Sequence, residues 1–199
     1  MRATVSQQET APTAGRRRGP MRAAIVEMRP AEWVKNGFVF APLIFSGRLG
    51  EAALVARGIA ATGAFCLMAS AGYLFNDLGD VELDRQHPTK RHRPIAAGEL
   101  SRGAAAVMTT IFAVASLALA SVGGWETMAF VAGYAVLTFS YSTVLKRLVI
   151  IDVMAIAAGF LLRVIAGAHA VDVEVTEWLI VCTGALAMFL GFTKRRQEA

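Results

Sequence analysis

One short stretch gathers the residue types that bind metal-complexed phosphates: Asn76-Asp77-Leu78-Gly79-Asp80-Val81-Glu82-Leu83-Asp84. Continued as a helix at about 100° per residue, it places Asn76, Asp77, Asp80 and Asp84 within an arc of about 100° and turns Glu82 away. Clustered carboxylates repel one another and raise one another's pKa unless a cation stands between them. A hard divalent ion resolves the conflict. Mg2+ takes few protein carboxylates, keeps several waters and bridges to substrate phosphates. Asp77, Asp80 and Asp84 are therefore the candidate metal ligands. The competing reading is a solvated acidic helix end, but a position at the mouth of an apolar span favours the metal site.

The following segment, Arg85-Gln86-His87-Pro88-Thr89-Lys90-Arg91-His92-Arg93-Pro94-Ile95-Ala96-Ala97-Gly98, is basic and restrained. Pro88 and Pro94 limit the chain on either side of Lys90, Arg91 and Arg93. A constrained cationic loop beside an acidic metal site is suited to a metal-bound polyphosphate, and Lys90, Arg91 and Arg93 are its candidate binding residues. The alternative is that these charges only enforce topology. His87 and His92 read as exposed loop residues, since imidazole suits Mg2+ poorly. Ser101 reads as the N-cap of the next helix.

The elements that must carry these residues are apolar. Hydrophobic residues make up 55% of the 199-residue chain and charged ones 18%, with a mean hydropathy of +0.50. The charges fall in short blocks between long apolar runs, which excludes an ordinary soluble domain and points to a membrane protein. Six apolar segments are expected as spans: Trp33–Ser46, Ala53–Phe75, Ala104–Ser121, Thr127–Tyr141, Ile150–Val171 and Trp178–Thr193. The first and fourth are short and need flanking residues to cross. The fold class is thus all-α, a polytopic transmembrane helix bundle. Residues 1–28, with Arg16-Arg17-Arg18 and no apolar run, read as a disordered basic tail, and 29–199 as the membrane domain.

The net charge of +5 does not argue for nucleic acid, because the cations flank apolar spans. Of the 20 Lys and Arg residues, 17 lie in the tail through Lys35, in 76–103, in 142–149 or at the C-terminal end. Putting those regions in the cytoplasm satisfies the positive-inside rule, so an inner-membrane location with N-terminus and site cytoplasmic is expected. Cys66 and Cys182 lie in apolar runs and read as small buried residues, with no disulfide framework. Trp33, Trp125 and Trp178 sit at expected span ends and read as interfacial belt residues.

Asn76 to Asp84 matches in full the N-D-x-x-D-x-x-x-D motif of the UbiA-type superfamily of intramembrane prenyltransferases, which the chain resembles. Within it the resemblance is to the decaprenyl-phosphate phosphoribosyltransferase branch. Arg29-Pro30, Trp33 and Lys35-Asn36 follow its R-P-x-x-W-x-K-N pattern, and His87 to Gly98 its H-P-T-K-R-x-R-P-I-A-A-G loop. Tyr141-Ser142, Leu145-Lys146, Asp152, Gly159-Phe160, Leu162-Arg163 and Lys194-Arg195-Arg196 with Glu198 continue it, so that the likeness covers residues 29–199.

The resemblance implies a membrane-bound enzyme with Mg2+ as cofactor. Phosphoribosyl pyrophosphate would be the donor, a polyprenyl phosphate such as decaprenyl phosphate the acceptor, and the product would feed cell-wall arabinan synthesis. Asp77, Asp80 and Asp84 would be the catalytic metal-holding acids and Asn76 would orient the pyrophosphate. Lys35, Lys146, Lys194 and Arg195 would reach substrate phosphates from span ends. The family's second aspartate-rich motif is replaced here by Lys194-Arg195-Arg196, which favours holding phosphate over a second metal. Two readings stand for Arg163: a substrate phosphate ligand, or an internal ion pair with Asp152. Tyr141 lines the pocket or belongs to an aromatic belt. The resemblance also implies roughly nine spans where about six are visible, so C-terminal incompleteness is expected and a homo-oligomer is open. The rival readings are an aromatic prenyltransferase using a prenyl diphosphate, a membrane transporter, and an inactive fragment.

Overall fold

The computed structural model describes residues 18–143 and 149–198. Over these the chain is helical: α1 Pro20–Met28, a 3-10 helix Pro30–Phe40 running into α2 Ala41–Phe45, α3 Ala52–Gly79, α4 Val81–Gln86, α5 Arg102–Ala120, α6 Trp125–Thr143, α7 Val149–Ala170 and α8 Glu177–Glu198. A 3-10 turn, Ser121–Gly123, links α5 to α6. No strand occurs among the described residues.

Helix α3 is the hub. At 28 residues it extends about 42 Å at about 1.5 Å per residue, more than the roughly 30 Å of a bilayer's hydrocarbon. Its last turn, bearing Asn76 and Asp77, can therefore project from the apolar layer. It packs against α1, the 3-10 helix, α5, α6 and α7. Phe65, Met68, Ala61 and Ala64 of α3 form the main core with Val39, Leu43, Val131 and Ala166. From α5, Ser116 Oγ donates to the Ala64 carbonyl at 2.7 Å, a polar tie between neighbouring spans. Where α7 crosses the 3-10 helix, a Cβ on Gly167 would collide with the Val39 carbonyl, so only glycine permits this approach.

Three helical stretches are long and apolar enough to cross a membrane: Ala52–Gly79, Arg102–Gly123 and Val153–Ala170. The other expected spans fall short by this measure. Glu126, Tyr134, Ser140, Tyr141 and Ser142 lower the hydropathy of α6, and the apolar part of α8 stops at Thr193. The first expected span is not a regular α-helix. Pro30 opens it, and the chain winds as a 3-10 helix through Phe40 before Pro42 enters α2. The tighter winding rises about 2 Å per residue, so Pro30 to Phe45 still reaches about 30 Å.

The basic tail expectation fails for residues 20–28, which form α1. Pro20 occupies the first helical position, and Ala23 and Glu27, one turn apart, face inward. Ala23 enters a second, smaller core with Leu74, Val81, Ile95, Leu100 and Ala105 at the aspartate-bearing end. Residues 1–17, and the expectation made for them, lie outside the described residues.

Candidate active site at the end of helix α3

Helix α3 stops at Gly79, and Asp80 caps it with φ −99° and ψ 7° before α4 begins at Val81. The break is slight: Asp80 N–H donates to the Asn76 carbonyl at 3.0 Å and Asp84 N–H to the Asp80 carbonyl at 2.8 Å. Near-continuity keeps Asp77 and Asp84 on one side, two turns apart. Both are buried, at 1% and 3% exposure. Arg93 Nη1 donates to Asp77 Oδ1 at 3.0 Å and to Asp84 Oδ2 at 2.7 Å. Arg29 pairs with Asp77 Oδ2, and Asn76 Nδ2 donates to Asp77 Oδ1 at 3.1 Å.

Local folding explains how the two arginines arrive. Arg29 adopts the left-handed conformation, φ 53° and ψ 61°, at the end of α1. A non-glycine residue there costs on the order of 1 kcal/mol. The resulting reversal aims its guanidinium at Asp77 and lays it over the Tyr73 ring at 4.7 Å. Arg93 is delivered by the loop, whose turns close on themselves. Glu99 and Leu100 N–H both donate to the Pro94 carbonyl, at 2.8 and 3.1 Å, and Gly98 turns with φ +73°. Ile95 and Leu100 anchor the loop in the smaller core. Arg18 ties α1 to it through Glu99 and the His92 carbonyl. Ser101 caps α5, accepting from Ala104 N–H at 3.1 Å, as expected.

Glu27 adds a further carboxylate. It is 1% exposed, and neither of its oxygens has a hydrogen-bond partner among the described residues. The polar group it meets is Asp77, an acceptor like itself, so only a proton held between the two would join them. Burial first, then Asp77, pushes the Glu27 carboxyl up to about 8, against the pull of Arg29 and Arg93. Glu27, Asp77, Arg29, Arg93, Arg18 and His92 line one cavity of about 230 Å3. A larger cleft of about 490 Å3 lies beside Asn76, between α3, α5 and α6, lined by Phe75, Leu78, Thr109, Thr110, Ser142 and Thr143 among others.

The structure brings together Asn76, Asp77, Asp84 and Arg93 of the expected residues. Asp80 sits half-buried at the helix cap. Glu82 points outward, where Arg102 and then Arg85 hold its carboxyl below the usual range. Lys90 and Arg91 are exposed on a short 3-10 turn, and Arg91 donates to His92 at 3.2 Å. Lys35 is exposed and paired with Glu32. Tyr141 is half-buried on α6, next to the Ser142 that lines the larger cleft. Lys146, and the side chains of Asp152, Lys194 and Arg195, lie outside the described residues. No group of three or more His, Cys, Asp or Glu side chains is gathered at metal-binding distance among the described residues. The convergence expected of three aspartates is therefore met here by a pair, Asp77 and Asp84, with a guanidinium between them.

Arg163 is buried inside the bundle, and its hydrogen-bond partners among the described residues are uncharged. Nε donates to Asn36 Oδ1 at 2.7 Å, Nη1 to the Gly159 carbonyl at 2.8 Å and Nη2 to Tyr134 Oη at 2.8 Å. The guanidinium also lies 4.5 Å from the Tyr134 ring centre. Trp33 corrects the belt reading, since its indole N–H donates to Ser70 Oγ at 3.1 Å. Trp125 and Trp178 are exposed. Cys182 is exposed and Cys66 half-buried, so the expectation of burial holds only in part. Sequence reasoning gave no role to Glu27, Arg29, Asn36 or Tyr134. A signal for Glu27 existed, because Ala23 and Glu27 are one turn apart in a stretch opened by proline.

Fold and site define a class: a membrane-embedded helical bundle with a buried acidic and basic centre at one end. The chain belongs to the UbiA prenyltransferase family, whose profile matches residues 38–195. It is 38% identical over 205 residues to the decaprenyl-phosphate phosphoribosyltransferase of Mycolicibacterium smegmatis, covering 100% of this chain and 64% of that protein. It is 35% identical to the enzyme of the same name from Corynebacterium glutamicum, covering 87% of this chain and 54% of that one. The chain thus spans only part of these relatives' length. A solved UbiA homologue from Archaeoglobus fulgidus, bound to DMAPP and Mg2+, superposes with a TM-score of 0.73 at 21% identity, over 83% of this chain and 60% of that one. That likeness speaks for the fold.

Proposed function

We propose that this protein transfers 5-phosphoribose from phosphoribosyl pyrophosphate to a polyprenyl phosphate of the decaprenyl type, releasing pyrophosphate, with Mg2+. The reaction takes place at the cytoplasmic face of the inner membrane and supplies a cell-wall arabinan precursor. The observation that carries this reading is the buried pair Asp77 and Asp84, clasped by Arg29 and Arg93 at one end of an apolar bundle. Carboxylates for a metal and cations for phosphate meet there. The relatives in M. smegmatis and C. glutamicum support the choice of donor and acceptor, and the Mg2+-bound homologue supports the cation.

The residues present suit Mg2+, since they offer hard carboxylate oxygens, one of them on the unpartnered Glu27. Asp77, Asp80 and Asp84 would hold the ion. When bound, it neutralises charge on the departing pyrophosphate. Arg29 and Arg93, freed from the acids, grip phosphate oxygens in the same cavity, and Lys90 and Arg91 add positive charge from the loop. Asn76 orients the pyrophosphate. The bond from ribose C1 to pyrophosphate oxygen breaks as the lipid phosphate oxygen bonds to C1. That oxygen is already anionic, so no general base is required. The cleft beside Asn76 leaves room for the acceptor phosphate next to apolar spans.

Membranes containing the protein, given labelled phosphoribosyl pyrophosphate, Mg2+ and polyprenyl phosphate, should yield a lipid-extractable product. Asp77→Asn should lower the rate by at least about 100-fold, while Glu82→Gln should not. Transfer from a prenyl diphosphate to an aromatic acceptor, with none from phosphoribosyl pyrophosphate, would replace this reading.

A further inference from the structure

A carboxyl group buried without a hydrogen-bond partner is expensive and is kept where something else compensates it. Glu27 is such a group. It lies on α1, 50 residues before Asp77 in the chain, outside the aspartate-rich segment. Its two oxygens have no hydrogen-bond partner among the described residues, yet the guanidiniums of Arg29 and Arg93 share its cavity. Their N–H groups go to Asp77 and Asp84 instead. The chain thus supplies cations for the aspartates and leaves Glu27 facing Asp77, carboxyl against carboxyl.

We propose that Glu27 is a ligand of the divalent cation, joining Asp77 across the cavity between α1 and α3. This rests on the metal-dependent reading above and extends it to a residue outside the motif. A hard ion of the Mg2+ class satisfies both carboxyl groups with one charge centre and keeps open positions for diphosphate oxygens. It also explains the presence of α1, because the helix and the left-handed turn at Arg29 carry one metal ligand and one phosphate-binding cation into the same cavity. The short link between Glu27 and Arg29 means that ion binding, which draws on Glu27 and Asp77, frees the guanidinium of Arg29 for phosphate.

The test uses Mn2+ as the spectroscopic probe, followed by electron paramagnetic resonance on the purified chain in lipid nanodiscs, without turnover. Wild type should take up Mn2+, Asp77→Asn should lose it, and Glu82→Gln, on the outward face of α4, should match wild type. Glu27→Gln should weaken Mn2+ binding by tenfold or more, with Glu27→Asp intermediate. Melting gives a second readout. Without metal, Glu27→Gln should melt at or above the wild-type temperature, because the amide can donate to Asp77 at any pH, and the rise that Mg2+ gives wild type should shrink. Ligation itself is read with Glu27→Cys and Cd2+ in a Cys182→Ser background, which should show a thiolate-to-cadmium charge-transfer band absent from Cys182→Ser alone. Wild-type Mn2+ affinity in Glu27→Gln, with loss in Asp77→Asn, would overturn the role of Glu27 and leave the metal site standing. Absence of Mn2+ uptake by wild type, with and without pyrophosphate, would overturn both.

Discussion

Arg93 commits one guanidinium nitrogen to two acids, at 3.0 Å from Asp77 and 2.7 Å from Asp84. Nη1 carries two N–H bonds, so each acid can receive its own, and the guanidinium sets a positive charge between two carboxylates, where the proposed metal ion would sit. Removing it leaves both acids buried and repelling. Breaking a buried ion pair from one side costs about 3–5 kcal/mol, and partial exposure of Arg93 puts its loss near the low end. Arg93→Ala should therefore lower the metal-free melting temperature, and Mg2+ should restore more of it than in wild type; equal Mg2+ shifts in the two proteins would contradict this. Asp77, Asp84 and Arg93 were legible in the sequence because they stand in one short stretch, where helical spacing alone places the two acids and the loop that follows brings the cation. Glu27 and Arg29 were not, since their contacts with Asp77 cross 50 and 48 residues and depend on a reversal at Arg29 that no periodicity encodes.

At the scale of elements, the buried network around Arg163 fixes how α7, α6 and the 3-10 helix meet. Asn36 is fully buried. Its oxygen accepts from Arg163, and its Nδ2 lies 3.2 Å from Cys66 Sγ on α3. One amide thus joins two helices to the 3-10 segment. Asn36→Leu keeps the branching and the number of side-chain heavy atoms but strands a guanidinium N–H, so a loss of about 1–3 kcal/mol is expected. With Arg163→Met in the same chain, the pair should be less destabilising than the two single changes summed, by roughly 0.5–3 kcal/mol. Detergent unfolding of the four proteins measures this; strict additivity would mean the two side chains are not coupled. The sequence did show that Arg163, in a span, had to face inward and find a partner. It did not show which, because uncharged Asn36 and Tyr134 carry no signal comparable to that of an acid such as Asp152. Likewise, hydropathy marked the first span, while its 3-10 winding follows from Pro30, Pro42 and a crossing with Gly167 that only the assembled bundle reveals.

At the scale of the whole molecule, two clusters of buried apolar residues stand out among the described residues. One core, around Phe65, Met68, Val39 and Val131, holds the spans together. The other, around Ala23, Leu74, Val81, Ile95 and Leu100, lies under the aspartates and holds α1, α4 and the basic loop to the end of α3. Parts held by separate cores open at separate free energies. The site should thus be able to loosen while the bundle stays intact. Ile95 is 2% exposed and anchors the loop that carries Arg93. Truncating a buried isoleucine to alanine costs about 2–5 kcal/mol, and here the loss falls on the smaller core. Ile95→Ala should therefore speed trypsin cleavage at Lys90 or Arg91, with little change in the helical melt. Leu54→Ala, in the larger core, should do the reverse, lowering the melt and leaving early loop cleavage at the wild-type rate. Addition of Mg2+ with pyrophosphate should slow loop cleavage in wild type, because it draws α1, the loop and the end of α3 onto one ligand. If Ile95→Ala and Leu54→Ala lower the melt and raise loop cleavage alike, the two cores unfold as one unit, and the site has no stability separate from that of the spans.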